Sequence, residues 1–325
     1  MVDSLRGLAA LSVALAHFCL GSPEFYAPPI LKSIGGFGFH GVDVFFVISG
    51  FVLPYSLWRA GYWLTLTNFR RFVWKRVVRI DPPYLVTIVL TVLMAWLSTL
   101  APGYHGQPFR IDLSVMVWHL GYLNAFVHER WLSPVFWTLA IECQFYLLIA
   151  VLYPLVVSAR RSLRLGIPLV LLATSFFGLG DDVVTTHLPL FVCGIAAFQY
   201  LVGICTWQEM ASLLLAAAGA AYFQSGAVLM LVGLGSALVL IRLPQWSNPT
   251  LSFFGTLSYS LYLLHVPFGG RVINLALRLP AGNLTSVVAI LAAFVVSLGA
   301  AYILCRLVEQ PAQKYAASLR FEKRV

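Results

Sequence analysis

Arg6 and His17 stand eleven positions apart in one apolar run, 5–20. On a helix that separation is about 16 Å along the axis and close to three full turns, so both side chains lie near one face. An imidazole titrates near neutrality and suits proton transfer. The plainer account is that Arg6 anchors the helix end and His17 bonds a neighbouring carbonyl. A basic stretch at 70–79 holds Arg70, Arg71, Lys75, Arg76 and Arg79. Arg76 and Arg79 are i, i+3 and share a helix face. Their planar forks suit phosphate or pyrophosphate, each gripping two oxygens. An anchor against anionic headgroups accounts for the charge equally well. Glu142 sits among apolar residues. Facing His17 or an arginine it stays ionised and orients an imidazole; a structural ion pair between helices is the alternative.

Other polar groups carry weaker signals. Asp43, in Gly41-Val42-Asp43-Val44-Phe45, fits packing or helix entry as well as chemistry. Ser49-Gly50 lets another helix approach closely, and it is no nucleophile elbow. His265 lies just before Pro267 and is expected to bond a carbonyl that the proline releases. His105, His119 and His128 fall in or beside one loop, where solvent exposure is expected. Five cysteines, odd in number and without a C-x-x-C pair, read as buried free thiols. No H-E-x-x-H or acidic cluster implies a metal.

These residues need a scaffold, and composition says which. The 325-residue chain is 60% hydrophobic and 10% charged, with a mean hydropathy of +0.86. A soluble domain is nearer half apolar and a quarter charged, and surface scaling cannot hide this excess in one core. The expectation is an all-α membrane helix bundle of about ten spans: 5–20, 38–58, 80–100, 135–157, 164–180, 186–204, 209–223, 226–242, 252–272 and 286–308. The stretch 113–127 reads as re-entrant or interfacial, with an eleventh span as the alternative, and 59–79 as a basic cytoplasmic loop. The first run reads as a retained span rather than a cleaved signal. With the N- and C-termini inside, the basic clusters at 70–79, 160–164 and 314–324 all fall inside. Only Lys32, Arg110, Arg130, Arg271 and Arg278 then fall outside. A net charge of +9 is thus accounted for by short loops, and nucleic-acid binding is not expected. An ionisable group buried in such spans defaults to a functional role.

Together the blocks resemble the acyltransferase-3 family of bacterial membrane O-acyltransferases. They are Asp3-Ser4-Leu5-Arg6-Gly7 leading to His17, then 41–51, then Arg76-x-x-Arg79-Ile80. Phe136-Trp137-Thr138-Leu139-x-x-Glu142 and Ser258-Tyr259-Ser260-Leu261-Tyr262-Leu263-Leu264-His265 complete the set. The resemblance runs from about residue 3 to about 310. It implies a single membrane domain over 1–325 in the cytoplasmic (inner) membrane. It also implies transfer of an acyl group, acetyl above all, from acyl-coenzyme A to a hydroxyl of a sugar or glycan, with membrane lipids as surroundings and no metal. By position Arg6 and His17 match the family's R-x10-H catalytic pair and Glu142 its acid. Arg76 and Arg79 match its donor-associated R-x-x-R motif, and Arg71 beside them is expected to bind the donor too. The sequence departs from larger members in carrying no accessory C-terminal domain. It also begins almost at the first motif, so a few leading residues are expected to be missing. Direct transfer and an acyl-histidine relay are both compatible. A multi-span transporter or flippase is the rival class.

Overall fold

The computed structural model describes residues 1–100 and 112–322. Their helices are α1 (Val2–Leu20), α2 (Pro29–Gly38), α3 (Gly41–Arg59), α4 (Leu66–Thr99), α5 (Leu113–Leu120), α6 (Asn124–Val127) and α7 (Trp137–Val156). Next in the chain are α8 (Arg161–Thr174), α9 (Val184–Leu201), α10 (Trp207–Arg242), α11 (Pro249–Leu264), α12 (Gly270–Ala276), α13 (Asn283–Leu304) and α14 (Gln310–Ser318). No strand occurs among the described residues. Five-residue π-turns, His265–Gly269 and Cys305–Glu309, join α11 to α12 and α13 to α14.

Seven helical stretches are long and apolar enough to cross a membrane: Val2–Leu20, Pro29–Arg59, Leu66–Thr99, Trp137–Val156, Val184–Leu201, Trp207–Arg242 and Asn283–Ser318. Their outward faces carry bare apolar side chains such as Phe223 (80% exposed) and Val295 (70%). Water would penalise that surface; hydrocarbon does not. With no water between helices and lipid, cohesion comes from close packing. Two contacts are backbone-close. A Cβ on Gly7 of α1 would lie 2.2 Å from the Leu251 carbonyl of α11, and one on Gly255 of α11 would overlap the Asp3 carbonyl. Gly50 of α3 and Gly194 of α9 form the second, each facing the other helix's carbonyls at 2.1 Å. The close approach expected at Ser49-Gly50 is therefore present. The largest buried cluster joins α3, α7, α9 and α10.

Several boundaries differ from expectation. The stretch expected as a basic loop is helical from Leu66, because Thr65 caps the helix by accepting from the Asn68 amide (3.2 Å). The spans expected at 209–223 and 226–242 follow one another directly as the two parts of α10, which breaks at Gly226, whose φ of 82° and ψ of −172° no helix contains. The segment 113–127 forms only α5 and α6. Eight residues rise about 12 Å, too little to cross the hydrocarbon. His119 is fully buried, not exposed: Nδ1 donates to the Val115 carbonyl (2.7 Å) and Nε2 accepts from the Leu132 amide (3.0 Å). His128 is exposed as expected. The cysteines are all free, and four of the five are buried. His105, Arg110, Lys323 and Arg324 lie outside the described residues.

Candidate functional site

The Gly7–Gly255 contact sets α1 against α11 so closely that rings further along both helices meet. The His17 and His265 centroids are 4.9 Å apart at 65°. Phe39 packs edge-on against the other side of His17 at 5.1 Å. His265 Nδ1 lies 3.1 Å from the Leu261 carbonyl. A carbonyl only accepts, so Nδ1 of His265 holds the proton and Nε2 keeps the lone pair. That lone pair faces His17 Nδ1 at 3.2 Å. His17 Nδ1 also lies 3.0 Å from the Val13 carbonyl. Both neighbours accept, so His17 too carries its proton on Nδ1. Its Nε2 is left as a free base. The carbonyl that His265 bonds belongs to its own helical turn rather than being one released by Pro267.

His17 lines a cavity of about 250 Å³. The wall is polar at Ser22, Thr91, Ser133, Arg271 and Asn274, and apolar at Phe18, Leu132, Pro134, Val266 and Pro267. Buried His119 holds the Leu132 amide and so fixes one strip of that wall.

The arginines occupy a different place. Arg6, Arg76 and Arg79 line a second cavity, about 70 Å³, with Ser49, Glu142, Tyr146, Tyr259, Glu309 and Gln313. Three guanidiniums against two carboxylates leave one formal positive charge. Each group is held. Arg6 Nε donates to Ser258 Oγ (3.2 Å) and Arg76 Nη2 to Ser56 Oγ (3.1 Å). Arg76 also lies over the Phe72 and Tyr146 rings at 5.1 and 5.4 Å. Glu142 accepts from Ser49 Oγ (2.6 Å) and Tyr146 Oη (2.8 Å). Glu309 accepts from Ser260 Oγ (2.5 Å) and Gln313 Nε2 (2.8 Å). A smaller, largely apolar chamber of about 50 Å³ adjoins this cavity, sharing Arg6, Phe45, Glu142 and Tyr259, and is also lined by Thr138 and Tyr262. Tyr262 is bonded to Thr138 Oγ1 (2.7 Å), and its ring lies 5.9 Å from His265.

The structure thus gathers Arg6, Arg76, Arg79 and Glu142 around one cavity and places His17 at another. The partner expected to orient the imidazole, Glu142, bonds Ser49 and Tyr146 instead. His265 and the Val13 carbonyl occupy that position. Arg71 lies apart from both cavities, 3.4 Å from Glu322 at the start of α4. Asp43 bonds His40 (2.7 Å) at the first turn of α3, a helix-entry role. Glu309 and the His17–His265 contact were not anticipated. The only prior signal was a carboxylate and an imidazole inside apolar runs. Among the described residues no cluster of three His, Cys, Asp or Glu is placed to hold a metal ion.

A family model described as an acyltransferase domain matches residues 2–306. The chain belongs to the acyltransferase-3 family. It is similar to a protein of Komagataeibacter xylinus named as a membrane-bound transacylase, BcsY, at 28% identity over 82% of this chain and 72% of that protein. It is also similar to the O-acetyltransferase OatA of Staphylococcus aureus, at 29% identity over 48% of this chain. That match covers only 24% of OatA. No solved structure matches. The family and these relatives make the chain a multi-pass membrane O-acyltransferase.

Proposed function

We propose that this enzyme moves an acyl group, most simply acetyl, from acyl-coenzyme A to a sugar hydroxyl, with His17 as general base. The carrying observation is the locked tautomer: Nδ1–H of His17 is bonded to Val13 and His265, which leaves the lone pair on Nε2 of a ring that lines a cavity with room for an acceptor. The acceptor hydroxyl gives its proton to Nε2 as its oxygen attacks the thioester carbonyl. The C–S bond then breaks, and the coenzyme thiolate takes the proton back from Nε2. In between, the imidazolium is supported at Nδ1–H by the His265 lone pair and the Val13 carbonyl.

The donor's phosphates belong with Arg6, Arg76 and Arg79. Their cavity lies at the opposite end of the Arg6–His17 interval, about 16 Å along α1. An extended pantetheine arm is of comparable length. The adjoining apolar chamber suits the arm's passage toward His17, since Tyr262 in its lining has its ring 5.9 Å from that of His265. Arg71, half-buried and engaged by Glu322, can act at most by drawing the donor electrostatically.

This reading has ten crossings with both termini in the cytoplasm of a bacterium. To the seven long stretches it adds α8, the α11–α12 unit and a division of α10 at Gly226. The donor cavity then opens on the side where acyl-coenzyme A is made, and His17 lies toward the other.

The test is transfer by the purified protein in phosphatidylcholine nanodiscs, with mass spectrometry of cell-envelope glycans in parallel. His17→Ala should lower transfer by roughly 100-fold or more while the helical signal and membrane insertion are kept. Turnover near wild type in that variant would rule out His17 as the base.

A further inference from the structure

The cavity beside His17 has a lining that proton transfer does not use. Ser133 is 2% exposed, yet its Oγ has no hydrogen-bond partner among the described residues. Thr91 Oγ1, on the same wall, is also buried and unpartnered. A buried hydroxyl left unbonded is costly, and both belong to residues that line one chamber, so a ligand there toward which either hydroxyl turns relieves that cost. Arg271 lines the chamber too, without an ion pair or hydrogen bond among the described residues. Arg6, Arg76 and Arg79 share their cavity with Glu142 and Glu309, whereas no carboxylate lines the chamber at Arg271. A guanidinium with no acid beside it is free to grip a carboxylate or phosphate through two parallel bonds. Asn274 and Ser22 add further polar groups on the same wall. The volume suits one sugar ring rather than an oligosaccharide.

We propose that this cavity is the acceptor subsite and that it takes a sugar residue bearing an anionic group. Thr91 and Ser133 hold ring hydroxyls, Arg271 holds the carboxylate or phosphate, and the hydroxyl to be acylated sits at His17 Nε2. The assignment rests on the acyl-transfer reading but concerns a different property, the charge of the acceptor. His119 is a positioning residue here: through the Leu132 amide it keeps Leu132, Ser133 and Pro134 in the wall.

The test measures binding without donor. Protein in phosphatidylcholine nanodiscs is titrated with methyl glucoside, methyl glucuronide and glucose 6-phosphate, and affinity is read by saturation-transfer NMR. At least one anionic probe should bind roughly ten-fold more tightly than the neutral glycoside, the worth of one charge-assisted contact. The glucuronide and the phosphate separate the two anions. Arg271→Gln should erase the preference, whereas Arg271→Lys should keep part of it, which separates lost charge from lost fold. Ser133→Ala should weaken all three probes. Equal affinities in the wild type, no binding of any probe, a preference that survives Arg271→Gln, or indifference to Ser133→Ala each overturns the assignment. Transfer to envelope glycans is scored separately. Anion preference without transfer leaves a site for an anionic sugar but removes its assignment as the acceptor subsite together with the proposed donor and acceptor; transfer without anion preference keeps the acyl-transfer reading and overturns the anionic acceptor alone.

Discussion

Removing the His265 ring leaves His17 Nδ1–H with the Val13 carbonyl alone. The tautomer survives, because that carbonyl still demands the proton, but the imidazolium formed during transfer loses its second acceptor. A hydrogen bond to a charged group contributes about 1.5–3 kcal/mol, so His265→Ala should lower kcat by roughly ten- to hundred-fold. The donor KM should be unchanged, because His265 lies away from the arginine cavity. His265→Gln, whose amide oxygen is an acceptor of similar reach, should recover part of the loss. Equal kcat in all three proteins would remove His265 from the catalytic step. At the other cavity, Arg76→Lys exchanges a fork for a point charge and abandons the contacts with Ser56, Phe72 and Tyr146. Donor KM should rise about ten-fold with kcat little altered; an unchanged KM argues against phosphate binding there. The intramembrane charges at Arg6, Arg76, Arg79 and Glu142 were legible because lipid makes any such group conspicuous. Glu309 was not. It closes the π-turn Cys305–Glu309, whose extra residue rotates the helix face at that point, so a 3.6-residue period cannot place it beside the arginines. The partnership of His17 with His265 spans 248 positions in sequence and depends on how two helices dock.

At the scale of elements, the docking of α1 on α11 places both histidines. Neither Gly7 nor Gly255 has room for a methyl group, since the nearest atoms are opposing carbonyl oxygens that cannot rotate away. Gly7→Ala or Gly255→Ala must push the helices apart. Overpacking of this kind costs about 1–3 kcal/mol, and a shift of 1 Å at the rings can cost a further hundred-fold in rate. Transfer should therefore fall much more than thermal stability, compared by detergent-solubilised melting and activity on one preparation. Gly235, with open space at its Cβ, is the control and should tolerate alanine. A Gly7→Ala enzyme with wild-type rates would mean that the helix spacing does not set the ring geometry. Apolar run lengths made the spans readable in sequence, and Ser49-Gly50 announced one close contact. Helix starts were less readable. The basic residues at 70–79 look like loop by charge, but the Thr65 cap lets the helix begin beneath them, and its inner turns carry Arg76 and Arg79 into the cavity.

For the whole molecule the open question is whether α10 passes the membrane once or folds back within it. Thirty-six helical residues would measure about 54 Å, well beyond a hydrocarbon layer of about 30 Å. Ties along its length favour folding back. Glu209, in its first turn, pairs with Arg161 at the start of α8 (2.6 Å). Gln224, just before the break, donates to the Ser175 carbonyl beyond the far end of α8 (2.9 Å). The first half of α10 therefore spans the same depth as α8. Beyond Arg242 the chain reaches Asn248, whose amide donates to Ser4 Oγ at the start of α1 (3.1 Å). Gln199 bonds the Val156 and Arg164 carbonyls, gathering the ends of α7 and α9 with the start of α8 at one level. In the proposed arrangement the start of α1 shares that level on the cytoplasmic side, so both ends of α10 lie there and Gly226 is an outward turn. Single cysteines in a background with the five native ones replaced by alanine decide this. Ser225→Cys, exposed at the turn, should react with a membrane-impermeant maleimide on intact cells. Gln208→Cys, on the first turn of α10, should react only after the inner membrane is opened. Should both positions label only in opened cells, or both in intact ones, α10 does not reverse at Gly226 within the bilayer, and the ten-crossing arrangement loses the division that brings its C-terminus back inside.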